Sequence, residues 1–128
     1  MSYHFSRTLT LPFDEAIEKV TAALADKGFG VLTTIDVKAT LRKKLDVDFR
    51  PYTILGACNP AFAHQALLCE GKIGTMLPCN VVVQDAGDGA VEVSAVDPMA
   101  SMQAIDNPDL GAIANDVQGL LKSVIEEL

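Results

Sequence analysis

The chain has no tryptophan, and only five phenylalanines and two tyrosines among its 128 residues. Its core must therefore be built from valine, isoleucine, leucine and alanine. Basic residues are scarce as well. Ten Lys and Arg stand against seventeen Asp and Glu, a formal charge of −7. That balance argues against nucleic acid or an anionic membrane as partner, because phosphate binding needs a basic surface. The one basic cluster, Arg42-Lys43-Lys44 with Lys38 and Arg50 nearby, reads as the solvated face of an element. No window approaches the ~20 apolar residues of a membrane span. The start Met-Ser-Tyr-His-Phe-Ser-Arg lacks the basic-then-apolar order of a secretory signal. The expected location is the cytoplasm, where thiols stay reduced. Three cysteines, an odd number, are accordingly not a disulfide framework. No CxxC or HxxxH metal spacing occurs. Gly28-Phe29-Gly30 and Gly87-Asp88-Gly89 lack phosphate-loop spacing and read as turns.

What remains is 49% hydrophobic and 21% charged, which predicts a globular chain. Residues 1–128 are read as one domain, long enough for a real core. Residues 3–11 alternate: Tyr3, Phe5, Arg7, Leu9 and Leu11 share one face, and His4, Ser6, Thr8 and Thr10 the other. This predicts a half-buried strand with its polar face toward water or a partner. Pro12 opens a helix with Ile17, Val20 and Leu24 on its apolar stripe, ended by Gly28. Val31, Thr33 and Ile35 form a second strand. Asp36 caps a short helix carrying Val37, Leu41 and Leu45. Tyr52 to Ala57 is a third strand. Asn59-Pro60 is a cap followed by a first-turn proline, starting a helix that runs to about Glu70. Cys79 to Asp85 and Ala90 to Val96 are strands joined by a hairpin at Ala86-Gly87-Asp88-Gly89. A loop then carries Met99 and Met102. Asn107-Pro108 starts the last and most periodic helix, with Leu110, Ile113, Val117, Leu120, Leu121, Val124 and Leu128 on its stripe. The order β-α-β-α-β-α-β-β-α predicts a two-layer α+β fold, with a partly antiparallel sheet covered by helices.

The segments Gly28-Phe29-Gly30-Val31, Ile54-Leu55-Gly56-Ala57-Cys58-Asn59-Pro60, Leu77-Pro78-Cys79-Asn80-Val81-Val82-Val83 and Val96-Asp97-Pro98 resemble, in order and spacing, the prokaryotic family known as domain of unknown function 302. The resemblance covers nearly the whole chain. It implies a small α+β domain that pairs as a homodimer, and it implies no activity. The polar strand face around His4, Ser6, Thr8 and Thr10, or the apolar stripe of the last helix, would be the pairing surface.

Two segments place a cysteine beside proline and asparagine at an element boundary: Cys58-Asn59-Pro60 and Pro78-Cys79-Asn80. Cys58 precedes a helix start, where free N–H groups and the macrodipole favour a thiolate. Alternation puts Cys79 at the rim of the buried face of its strand. His64 follows Cys58 by six residues. Two thiolates and an imidazole would suit zinc or copper, and a thioether from Met99 or Met102 would favour Cu(I). Asp97, before Pro98, is a further ligand candidate, or a turn residue whose carboxylate accepts backbone N–H groups. Cys69 is turned roughly 140° from His64 on the same helix and is left outside the site. The expected function is a binding module for a small ligand or soft metal, with Cys58, Asn59, Cys79 and Asp97 around the ligand. Cys58, His64, Cys79 and Met99 would hold a metal. Two alternatives stand beside it: a thiol-redox protein with Cys58 attacking and Cys79 resolving, and an interaction domain whose cysteines only pack. A Cys58–His64 nucleophile pair is a further option, and it would also need an orienting group and an oxyanion hole.

Overall fold

The computed structural model describes residues 2–128. Among the described residues there are five strands: β1 His4–Leu9, β2 Gly30–Asp36, β3 Tyr52–Cys58, β4 Cys79–Gly87 and β5 Ala90–Val96. Five helices accompany them: α1 Phe13–Asp26, α2 Val37–Leu45, α3 Pro60–Cys69, α4 Pro98–Ser101 and α5 Pro108–Glu126, with a 3-10 turn at Ile73–Met76. The sheet order is β1-β5-β4-β3-β2, and every neighbouring pair is antiparallel. The α+β class is as the sequence predicts, and the antiparallel pairing extends beyond the closing hairpin to the whole sheet. Two elements go beyond what the sequence pattern predicts: the 3-10 turn after Gly71, and α4, which stands in place of an open loop.

Local chemistry explains the joints. At the end of α1 the N–H of Phe29 bonds the carbonyl of Leu24, and that of Gly28 bonds Ala25. This is the paired bonding that a left-handed residue after a helix permits, and Gly28 has φ +87. The turn inserts Phe29 into the core beside Leu24. The β4–β5 hairpin closes on Asp88 and Gly89, both at positive φ, between paired Gly87 and Ala90. Such a two-residue turn matches the twist of its strands. Asn59, Asn107, Asp36 and Asp97 each accept a backbone N–H at the start of the helix that follows, satisfying donors a helix otherwise leaves unpaired.

Register divides the sheet into two faces. Ala57, Cys79, Val81, Val83, Val93 and Ala95 lie on the inner one, where α1 and α5 cover them with Val20, Leu24, Leu121 and Val124 in one continuous core. A smaller cluster of Ala66, Ile73 and Leu110 joins α3 to the start of α5. The other face is open. His4, Ser6 and Thr8 are exposed there, and Tyr52, Ile54, Val82 and Ser94 are half-buried. A hydrogen-bonded row crosses it, from His4 Nδ1 to Ser6 Oγ (2.7 Å) and from Ser6 Oγ to Ser94 Oγ (2.7 Å). The basic cluster lies on the exposed α2. There Arg42 meets Asp46 at 3.5 Å and Asp48 at 3.3 Å, and Arg50 stacks on Phe49 and donates to Gln84.

Gly56 is where β3 admits its neighbours most closely. A Cβ there would meet Thr33 Oγ1 and approach the Pro78 ring at 2.8 Å. Gly56→Ala should lower the urea unfolding midpoint by an amount equivalent to about 1–3 kcal/mol, the usual cost of overpacking. An unchanged midpoint would mean that Thr33 and Pro78 move aside freely.

Candidate functional site

The site begins with the ends of two strands. Ala57 of β3 pairs with Cys79 of β4, so Cys58 lies one residue beyond the position opposite Cys79. The chain then turns into α3 at Asn59, whose Oδ1 accepts the N–H of Phe62 at 3.5 Å. Gly28 packs so near that a Cβ on it would lie 3.0 Å from Asn59 Nδ2. The α1–β2 turn thus braces the start of α3. Between the sheet end, α3 and α5 lies an apolar cavity of about 30 Å³. Ala57, Ala63, Ala66 and Ala114 line it, and these methyl-sized side chains leave the space that larger ones would fill. Cys58 and Cys79 both line it as well. The sequence alone could not bring the two together; the β3–β4 pairing and the turn from β3 into α3 do.

The thiols differ in environment. Cys79 is buried, with 8% of its surface exposed, whereas Cys58 is half-buried. Burial pushes the Cys79 thiol up from 9.0 to about 11, with repulsion from a Cys58 thiolate adding to it. Both causes disfavour the charged form, so Cys79 is a neutral thiol at pH 7.

The remaining candidates separate. Asn59 lines the cavity. His64 points away from it: its position on α3 is exposed, one helical turn past the cap, while Ala63 and Ala66 take the inner side. The Cys58–His64 nucleophile pair therefore lacks its base at the cavity. Met99 is 38% exposed and does not line the cavity; Met102 does. The reason is α4. Met102 N–H bonds the Pro98 carbonyl, which stacks Met102 over buried Pro98, another lining residue. Asp97 acts as a cap: its Oδ1 accepts Met99 N–H at 2.9 Å and Gln118 Nε2 at 3.0 Å. Reading Asp97-Pro98 as the same cap-then-proline device as Asn59-Pro60 would have predicted α4, and with it Met102 in place of Met99. Cys69 lies in the smaller cluster and its Sγ donates to the Ala66 carbonyl at 3.5 Å. Among the described residues, no three His, Cys, Asp or Glu side chains are grouped to hold a metal. No helix among them is long and apolar enough to cross a membrane.

The family model described as Domain of unknown function DUF302 matches residues 5–128. A solved structure, the crystal structure of an uncharacterized conserved protein DUF302 from Bacillus stearothermophilus, is similar to the chain at 29% identity. The match covers 98% of each chain, with a TM-score of 0.90. No curated protein matches the sequence.

The buried thiol makes stability depend on alkaline pH. The unfolded Cys79 titrates near 9.0 and the folded one near 11, so above pH 9 the native state holds the extra proton. The contribution is fully present below pH 9 and is lost as pH rises through 11. It amounts to on the order of 3 kcal/mol. Urea unfolding midpoints should therefore fall between pH 9 and 11 in the wild type, and less steeply in Cys79→Ala. Parallel curves for the two proteins would show that the Cys79 thiol is not held up.

Proposed function

This chain belongs to the DUF302 family, and from that premise we propose that it is a non-enzymatic binding module for a soft metal ion, Cu(I). The observation that carries this reading is that Cys58, Cys79 and Met102 line one small apolar cavity. A volume of about 30 Å³ is roughly a tenth of the smallest ordinary small-molecule pocket. It suits an ion better than an organic ligand. Thiolate and thioether sulfurs are the donors that select Cu(I), and Cu(I) is content with two or three of them. Zinc takes four ligands in a tetrahedron, and the imidazole expected to complete such a set, His64, faces away. In this reading Cys58 and Cys79 are thiolate ligands, Met102 is the thioether ligand, and Asn59 fixes the helix start behind Cys58. A cation between the sulfurs would offset the burial and the repulsion that keep Cys79 protonated, so binding would release protons.

Titrating anaerobic, metal-free protein with Cu(I) against bicinchoninate should give one tightly held equivalent per chain. That equivalent should be lost in Cys58→Ser and in Cys79→Ser, and held more weakly in Met102→Leu. Failure of the wild type to compete with the chelator would overturn the reading, as would a tight equivalent that survives loss of both cysteines.

For the partner we propose a second copy of this chain, in the cytoplasm, paired through the open face of the sheet around His4, Ser6, Thr8 and Val82. The other surface considered, the apolar stripe of α5, is used up on the chain's own sheet. The open face carries a half-buried centre of Ile54, Tyr52 and Val82 with a polar rim, the arrangement interfaces favour. Light scattering should return the mass of a dimer for the wild type and of a monomer for Val82→Lys. A monomeric wild type would refute the pairing.

A further inference from the structure

We infer that Cys58 and Cys79 form a redox pair: a small hydroperoxide converts them to an intramolecular disulfide, and the bond closes the cavity to metal. The second half of this inference rests on the Cu(I) reading; the first does not.

The shared cavity carries it, with the strand pairing setting the distance. Ala57 and Cys79 are paired, so Cys58 and Cys79 sit on neighbouring strands, displaced by one residue. A strand spacing of ~4.8 Å and a rise of ~3.4 Å per residue put their Cα atoms roughly 6 Å apart. Disulfides form across Cα separations of roughly 4.4–6.8 Å. Strict alternation would turn Cys58 to the face opposite Cys79, but Cys58 is the last residue of β3, where the chain turns into α3, and both residues line the same cavity, so the bond closes across that space. The exposures assign the order of events. Cys58 is half-buried and meets the oxidant; Cys79 is buried behind it. The Cys58 thiolate attacks one peroxide oxygen, the O–O bond breaks, and Cys58 becomes a sulfenic acid with hydroxide leaving. The Cys79 sulfur then displaces the sulfenic hydroxyl, which takes up a proton and leaves as water. In total two thiols are oxidised and one hydroperoxide is reduced. With hydrogen peroxide the products are the disulfide and two waters. Cys69 serves as the internal control, because it sits in the smaller cluster beyond Ala66.

The test uses metal-free protein and one equivalent of hydrogen peroxide, with Cys69→Ser treated in parallel. The wild type should lose two hydrogen atoms by intact mass and keep one free thiol of its three. Its non-reducing peptide map should join the Cys58 and Cys79 peptides, and Cys69→Ser should give the same bond. The oxidised protein should bind no Cu(I), and dithiothreitol should restore its starting capacity. A bond to Cys69, a disulfide only between chains, Cys58 carried on to sulfinic acid with Cys79 still free, or an unchanged thiol count would each overturn the redox pair. A Cys58–Cys79 bond that leaves Cu(I) capacity intact would overturn the closure. Reduced protein that never takes Cu(I) would sink the metal reading and with it the closure, while the peptide map still decides the pair.

Discussion

Covering one face of the sheet with α1 and α5 is the constraint on which the rest of the molecule depends. The inner face carries Leu55, Ala57, Val81, Val83, Val93 and Ala95, all buried. Each large apolar side chain taken out of water there stabilises the fold by roughly 1.5–3 kcal/mol. With no tryptophan to fill volume, the chain needs two long helices for the task. α1 connects one edge strand to the other and so must cross beneath the sheet. α5 fills the space left beside it. α3 joins β3 to β4 and can only cover the end of the sheet those two strands share. It does so with alanines, which bring the backbones near but leave a gap. The cavity is therefore a consequence of topology and side-chain size together.

That origin explains why the two cysteines share an environment yet differ in chemistry. Cys79 is the first residue of β4 and keeps the inward parity of Val81 and Val83. It belongs to the core, and it pays the desolvation of a core position. Cys58 is the last residue of β3. It sits where the sheet gives way to the capped start of α3, and solvent reaches it. One step of register thus separates a thiol held neutral by burial from one that is partly exposed.

Much of this was legible in the sequence. Alternation and turn chemistry located the β4–β5 hairpin, and the cap-then-proline pairs at Asn59-Pro60 and Asn107-Pro108 located both helix starts. The pattern of α5 named its buried face. These signals are local, and local rules suffice for them. What failed depended on tertiary placement. His64 was a plausible ligand by spacing, but spacing along a helix does not say which side faces the sheet. Here Ala63 and Ala66 do, and His64 looks outward. Met99 and Met102 were indistinguishable until α4 formed. Its four residues are too few to show a period, and only the Asp97 cap marked it. The meeting of Cys58 with Cys79 needed the β3–β4 register, which no stretch of sequence encodes alone.

The same cavity that brings the thiols together also limits what they can do. Acyl or phosphoryl transfer needs donors aimed at developing charge. Apart from the two thiols and the Met102 thioether, the lining is alkyl and aromatic carbon with Asn59 at its edge, and Asn59 is already engaged as a cap. Such a wall cannot stabilise an oxyanion. It can hold sulfur chemistry, in which charge is either shared with a soft cation or removed by forming an S–S bond. On the proposed readings, both outcomes avoid leaving an uncompensated thiolate in an apolar space, and they do it in opposite redox states. On these readings, metal binding and disulfide formation would draw on the same two sulfurs, so a protein that did the first under reducing conditions would release its ion on doing the second.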